Sequence, residues 1–121
     1  MSESSPSCLY FRVDRKMVKV LMNDILYIEG FSDYIKIITN TKTIITKHLI
    51  SSLEETLPRD GFIRIHRSFI VSIQKIESYN ADIIYIGNKS LPIGRLFKQN
   101  VNNCSRQIPT LLQTAPGETK K

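Results

Sequence analysis

Cysteine and histidine are scarce in this chain of 121 residues, with two of each. Cys8 and Cys104 stand near opposite ends and form neither a CxxC pair nor a dense half-cystine framework. That excludes a paired-cysteine metal site and a disulfide-stapled secreted scaffold, and it favours a reducing, cytoplasmic setting. His48 and His66 belong to no HxxxH or HExxH pattern, so neither a metal nor any other cofactor is expected. No apolar run approaches the roughly 18–20 residues of a membrane span. The opening residues 1–7 are polar and lack the cationic-then-apolar order of a secretory signal. Glycine-rich phosphate loops of the GxGxxG or GxxxxGK[ST] kind are missing as well. His66 and Ser68 are spaced to share one face of a strand, but no orienting acid or oxyanion-hole motif accompanies them. The chain is therefore read as not an enzyme.

Acidic residues are the other scarcity. Eleven Asp and Glu face seventeen Lys and Arg, for a net charge of +6 and a pI near 9.5. No acid occurs in 34–53, 61–76 or 83–117. Those stretches carry Lys36, Lys42 and Lys47, then Arg64, Arg67 and Lys75, then Lys89, Arg95, Lys98 and Arg106. The acids gather at Asp24, Glu29, Asp33, Glu54, Glu55 and Asp82. Segregation of this kind implies a positive face, which attracts polyanions by releasing their counterions.

What is present is a succession of short β-type segments rich in β-branched and aromatic residues. Strands are expected at Leu9–Val13, Met17–Met22, Ile25–Glu29, Tyr34–Thr39, Thr43–Thr46, Phe62–Ile65, Phe69–Ile73, Ile76–Tyr79, Ile83–Ile86 and Ser90–Ile93. One segment follows a helical period. Leu49, Leu53 and Leu57, with Ile50, recur across Lys47–Leu57 before Pro58, and Thr46 is a candidate N-cap. The Leu stripe is read as core packing, Glu54-Glu55 as a solvated face, and Phe62, Phe69 and Phe97 as core. A further helical turn is expected after Gly94, with Leu96, Phe97 and Val101 on one face. The expected fold is mainly β: nine or ten short strands in successive small antiparallel sheets, with one short helix between. Residues 1–8 and 109–121 are expected to be mobile ends around a single folded unit, 9–108.

The densest chemistry lies in Phe62-Ile63-Arg64-Ile65-His66-Arg67-Ser68-Phe69-Ile70-Val71. Three imidazole or guanidinium groups fall within four residues at a break between strands. By simple alternation Phe62, Arg64, His66 and Ser68 share one face, and Ile63, Ile65 and Arg67 the other. Guanidinium groups suit bidentate contacts with guanine edges as well as phosphates, whereas an arginine at 64 could equally pair with Glu29 or Asp33.

Five segments in order, Ile25-Leu26-Tyr27-Ile28-Glu29, Asp33-Tyr34-Ile35, Leu49…Leu53-Glu54…Leu57, Phe62 to Ser68 and Leu91-Pro92-Ile93-Gly94-Arg95, closely resemble the LytTR family of DNA-binding domains. The resemblance covers about residues 10–102, and FIRIHRSFIV is its most specific part. It implies a mainly β output module of bacterial response regulators that reads double-stranded DNA with loops, not with a recognition helix. The implied loops are Ser32, Asp33 and Tyr34; His66 and Arg67; and Gly94 and Arg95. Arg67 and Arg95 are expected at base edges in successive major grooves, with Tyr34 near the intervening backbone. Arg64 and Lys98 are expected as phosphate-binding or supporting residues. Two departures from the family pattern stand at Ser72, often Asn, and Gly94, often Ser. The resemblance also implies an upstream receiver domain or sensor kinase, and pairing of copies on repeated sites. A receiver would occupy about a hundred residues more, and the sequence leaves open whether this is part of a longer regulator or a free-standing domain. Two other readings are a β module for a protein partner and a single-strand or RNA binder. The latter calls for exposed stacking aromatics, whereas Tyr and Phe here mostly occupy apolar strand surroundings.

Duplex affinity is expected to fall steeply as salt rises, because each neutralised phosphate releases condensed counterions. A titration across a several-fold range of salt checks this, and a flat affinity would count against a nucleic-acid partner.

Overall fold

The structure, a computed structural model, describes residues 8–104. The ends expected to be mobile, and the expected close of the folded unit at 105–108, lie outside those residues, apart from Cys8, which opens the first strand. Ten strands, two α-helices and three 3-10 turns follow one another among the described residues. The mainly β architecture of small antiparallel sheets is as expected.

The first two strands, β1 (Cys8–Val13) and β2 (Lys16–Leu21), form a hairpin by themselves. Its turn is only Asp14-Arg15, since Val13 pairs with Lys16. Both turn residues have positive φ, 51° and 68°, the backbone that two-residue hairpins favour because it matches strand twist. The centre of the molecule is a five-stranded antiparallel sheet in the order β5-β4-β3-β7-β6. Its members are β3 (Ile25–Phe31), β4 (Tyr34–Thr39), β5 (Thr43–Lys47), β6 (Phe62–His66) and β7 (Phe69–Ser72). A three-stranded sheet of β8 (Ser78–Tyr79), β9 (Ile83–Ile86) and β10 (Lys89–Pro92) completes the β structure.

Both faces of the central sheet bury side chains, and this sets the layering. On one face Ile28, Ile35 and Ile37 join Phe11 and Val20 of the hairpin, Leu53 of helix α1 (Ile50–Thr56) and Leu57, which caps that helix. On the other, Tyr27, Ile65 and Val71 join Ile84, Ile86 and Leu91 of the small sheet and Val101 of helix α2 (Lys98–Cys104). Each fully buried Ile or Leu contributes about 1.5–3 kcal/mol, so two clusters of this size suffice without staples. Cys8 is free.

Several boundaries differ from the sequence expectation for identifiable reasons. Helix α1 begins at Ile50 rather than Lys47, because Lys47 pairs with Tyr34 in the sheet and the His48 N–H donates to the Asp33 carbonyl at 2.8 Å. Thr46 is not the helix cap. It is buried in β5, and its hydroxyl donates to the Arg12 carbonyl, fastening the hairpin to the sheet. Leu49 occupies the cap position with no side-chain hydrogen bond. Strand β8 is shorter than expected because Ile73–Lys75 form a 3-10 turn. Along β6, simple alternation fails at a bulge: Arg64 faces Ile70 but His66 faces Phe69, so Ile65 is the extra residue and is fully buried. The final helical turn also differs. Val101 is buried and Phe97 half-buried, but Leu96 is 87% exposed.

Gly30 is fixed by space. A Cβ built there would lie 2.8 Å from Cβ of Ile50 and 2.9 Å from its Cγ2, at the start of α1. These contacts are with atoms near the backbone, which cannot swing aside, so the helix would have to move off the sheet. Gly30→Ala is expected to destabilise the domain by about 1–3 kcal/mol, as overpacking does. Urea unfolding of the pair measures it, and an unchanged midpoint would show that α1 is free to shift.

Candidate nucleic-acid interface

Three connections meet at one end of the central sheet. The β3–β4 turn consists of Ser32 and Asp33, with Ser32 in the left-handed region at φ 56°. The β6–β7 turn is Arg67-Ser68, and the third connection is the 3-10 turn Arg95–Phe97 that follows Gly94. Backbone hydrogen bonds tie them side by side. The Gly30 N–H donates to the Ser68 carbonyl at 2.8 Å, and the Gly94 N–H donates to the Ile65 carbonyl at 2.7 Å. Loops otherwise distant in sequence therefore form one row, in the same order as the strands beneath them.

The second turn is held from within. The Ser68 N–H donates to Nδ1 of His66 at 3.0 Å, so the neutral imidazole carries its hydrogen on Nε2. The His66 ring leans on Phe69 with centroids 5.5 Å apart, and Phe69 meets Tyr27 edge-on at 6.3 Å. Burial, and to a smaller degree the charge of Glu29, raises the Tyr27 phenol above its ordinary pKa. It is thus a neutral prop beneath the turn.

Arg64 is the most heavily engaged cation. Its side chain is 10% exposed, and Nη1 lies 2.6 Å from Oε1 of Glu54 on α1. Nε donates to the His66 carbonyl at 2.9 Å and Nη2 to the Arg67 carbonyl. The guanidinium also lies 5.7 Å from the centre of the Phe97 ring. Neither Glu29 nor Asp33 is its partner, and Glu54, read from sequence as a solvated face, is the acid that holds it.

Lys98 pairs with Asp82 at 2.7 Å, with both groups well exposed. An exposed pair of this kind contributes about 0–1 kcal/mol, so Lys98 can exchange its carboxylate for another anion at little cost. Arg67 and Arg95 differ from both. Each is exposed, and among the described residues neither has an acidic partner. Tyr34 is exposed and stacks on Phe31 with centroids 6.0 Å apart, while the Lys36 ammonium stands 5.8 Å from the Phe31 centroid. Sequence reasoning missed this surface pair.

Gly94 packs against the second turn. A Cβ there would lie 3.1 Å from Cδ2 of Phe97 and 3.5 Å from Cα of His66. A serine at this position, the commoner family residue, would press on the Phe97 ring. The same contact limits the distance between the two free arginines. With Cα atoms of neighbouring residues about 3.8 Å apart, those of Arg67 and Arg95 are separated by no more than about 13 Å. Successive major grooves are about 34 Å apart. The two arginines therefore stand too close together for the expected entry into successive major grooves. No group of three or more His, Cys, Asp or Glu among the described residues is placed to hold a metal ion. None of the described helices is long and apolar enough to cross a membrane.

Comparisons with known proteins agree with this geometry. The sensory transduction protein LytT of Bacillus cereus is 28% identical over 102 residues, covering 78% of this chain and 41% of that protein. The LytT of Bacillus anthracis gives the same values. The chain thus spans about two fifths of the length of these relatives. A solved structure, described as the LytTr DNA-binding domain of a methyl-accepting/DNA response regulator from Bacillus cereus, superposes with a TM-score of 0.71. It is 20% identical and covers 84% of this chain and 98% of its own, which shows a shared fold. A family model, that of the LytTr DNA-binding domain, matches residues 15–105, and with the fold and the row of loops this places the chain in the LytTr DNA-binding domain family.

Proposed function

We propose that the chain recognises a specific double-stranded DNA sequence in bacterial transcription regulation, as the output domain of a two-component response regulator. The observation that carries this is the row of tied loops on which Arg67 and Arg95 stand exposed with no acidic partner among the described residues. Unneutralised guanidiniums on a fixed backbone suit bidentate contacts with guanine edges. Ser32, Asp33 and Tyr34 meet the duplex beside them, and Lys98 releases Asp82 to take a phosphate. His66 presents Nε2–H to the DNA while its other nitrogen keeps the turn in shape. Gly94 lets the third loop lie against the second.

Arg64 acts as a positioning residue here. Its donors are directed at Glu54 and at two carbonyls of the turn, so it reaches the DNA only through Arg67. The longer relatives are named for sensory transduction and the structural neighbour for a response regulator. That supports a receiver domain or sensor kinase as the upstream partner and action in the cytoplasm; pairing of copies on repeated sites belongs to the same proposal. The chemistry gives no reason to assign an enzymatic activity. A protein-binding β module, the alternative, leaves the free arginines without a role.

Arg67→Ala and Arg95→Ala are each expected to leave folding intact and to lower affinity for the selected duplex about ten-fold or more, from roughly 1–3 kcal/mol of base discrimination. Non-specific binding should change much less. Lys98→Ala should weaken all duplexes about equally. Selection from a random duplex pool, followed by single-base-pair variants and single-strand and RNA competitors, makes the measurement. Retention of the full base preference by Arg95→Ala would remove it as a reader.

Arg64→Ala should behave differently, costing about 1–3 kcal/mol of stability because two turn carbonyls and Glu54 lose their donor. Arg64→Lys should recover little, since an ammonium lacks the planar fork that reaches several acceptors. Urea unfolding compares the three proteins, and wild-type stability in Arg64→Ala would show that the turn holds itself.

A further inference from the structure

The basic surface does not end at the three loops. Beyond the β3–β4 turn, where the hairpin meets β4 and β5, lies a concavity of about 490 Å³. Arg12, Arg15, Tyr34, Ile45 and Lys47 line it, together with Asp14. All three cations are exposed, and among the described residues none has an ion pair. Three positive charges to one negative, converging on a concave wall, concentrate a positive potential there.

Its position follows from the sheet order. Tyr34 belongs both to this wall and to the first loop, because it starts β4 directly after the Ser32-Asp33 turn. Across the end of the sheet the sequence of features runs from the concavity, over the edge strand β5 and its neighbour β4, through the β3–β4 and β6–β7 turns, to Gly94 and Arg95 beyond β6. Strands about 4.8 Å apart put roughly 19 Å between β5 and β6. That equals about five or six base-pair rises of 3.4 Å. The concavity thus stands at the end of the row opposite Arg95, where a duplex lying on the loops continues as flanking DNA.

The backbone of the hairpin turn adds an independent observation. Arg15 holds φ 68°, a conformation that costs an L side chain about 1 kcal/mol or more and that glycine adopts freely. The turn nevertheless carries an arginine, which lines the concavity, and the hairpin is fastened in place by the Thr46 hydroxyl on the Arg12 carbonyl. A strained residue kept at a charged wall points to a role outside the fold.

We propose that Arg12, Arg15 and Lys47 form a second, sequence-independent contact that grips the phosphate backbone of the DNA flank on the side away from Arg95. This rests on the duplex-binding reading above. The groove supplies affinity and fixes the orientation of the domain on its site, whereas the loops supply base preference.

The test uses the whole chain, the triple variant Arg12→Ala/Arg15→Gly/Lys47→Ala, and the duplex selected by the parent chain. It is made with long flanks and with either flank trimmed to the site. The triple variant should bind the long duplex on the order of ten-fold more weakly, keep the parent's base preference, and lose about two to three from the slope of log affinity against log salt. Trimming the flank beside the first loop should weaken the parent but leave the triple variant unchanged. Trimming the Arg95 side should affect both alike. Arg15→Gly alone should raise the unfolding midpoint while lowering affinity, which a purely structural arginine would not do. If the parent selects a duplex and the triple variant matches it in affinity and salt slope, the groove is overturned and the loop reading stands. If trimming weakens both proteins equally, the groove is likewise overturned. If the parent selects no duplex at all, both readings fall together.

Discussion

A single guanidinium, that of Arg64, joins three parts of this molecule. It reaches helix α1 through Glu54, the β6–β7 turn through the His66 and Arg67 carbonyls, and the third loop through the Phe97 ring. Its own carbonyl accepts from Asn100 on α2. The guanidinium is 10% exposed and Glu54 45%, so the pair is half shielded from water and worth somewhat more than a fully open surface pair. The consequence is preorganisation. Arg67 sits on a turn whose carbonyls are already bound, so little conformational freedom remains to be lost when its side chain meets a ligand.

The same end of the sheet shows how one positive charge differs from another. Four cations of the site come from stretches with no nearby acid in sequence, yet two of them find one in space. Glu54 neutralises Arg64 from a helix, and Asp82 meets Lys98 across the gap between the small sheet and α2. The first pair is half shielded and serves the fold, while the second is open and exchangeable. Among the described residues Arg67 and Arg95 have no acidic partner, and that sets them apart from Arg64 and Lys98 more sharply than residue type does. Function on a β framework also depends on the loops being held by others. The Gly30–Ser68 and Gly94–Ile65 hydrogen bonds are between backbones, so they fix the row whatever side chains it displays. Exposed side chains such as Arg67, Arg95 and Leu96 can then be substituted with little effect on the core.

The strands and the two helical segments were legible in the sequence because each is a local pattern: β-branched runs broken by polar turns, and leucines at helical spacing before Pro58. FIRIHRSFIV was legible as a candidate site for a similar reason, since turn position and charge lie within a few residues of each other, whereas Gly94, Arg95 and Lys98 came only from the family resemblance. The layers were not. Alternation along β6 held as far as Ile65, with Phe62 and Ile65 in opposite apolar clusters, and failed only past the bulge, where His66 turns to Phe69, because a bulge is set by the partner strand. Thr46 read as a cap because its hydroxyl suits one, but a carbonyl of another strand, Arg12, takes the hydrogen bond instead. Leu96 shares helical spacing with Phe97 and Val101 but not their burial, because hydrophobic spacing cannot tell which residue of a short turn meets solvent.

By itself, then, the sequence determined the β-rich composition, the excess of positive charge, the single family resemblance and the identity of the loops, all of which depend on residues close together in the chain. Tertiary structure alone decided which cations are neutralised and which loops touch. It also placed Arg12 and Arg15, from the first hairpin, on the same wall as Lys47. The physical reason is one of range. Propensity, charge and turn chemistry act over a few residues. The pairing of an arginine with a glutamate on a helix, or of a hairpin with a distant edge strand, is fixed by the packing of two apolar clusters against opposite faces of one sheet.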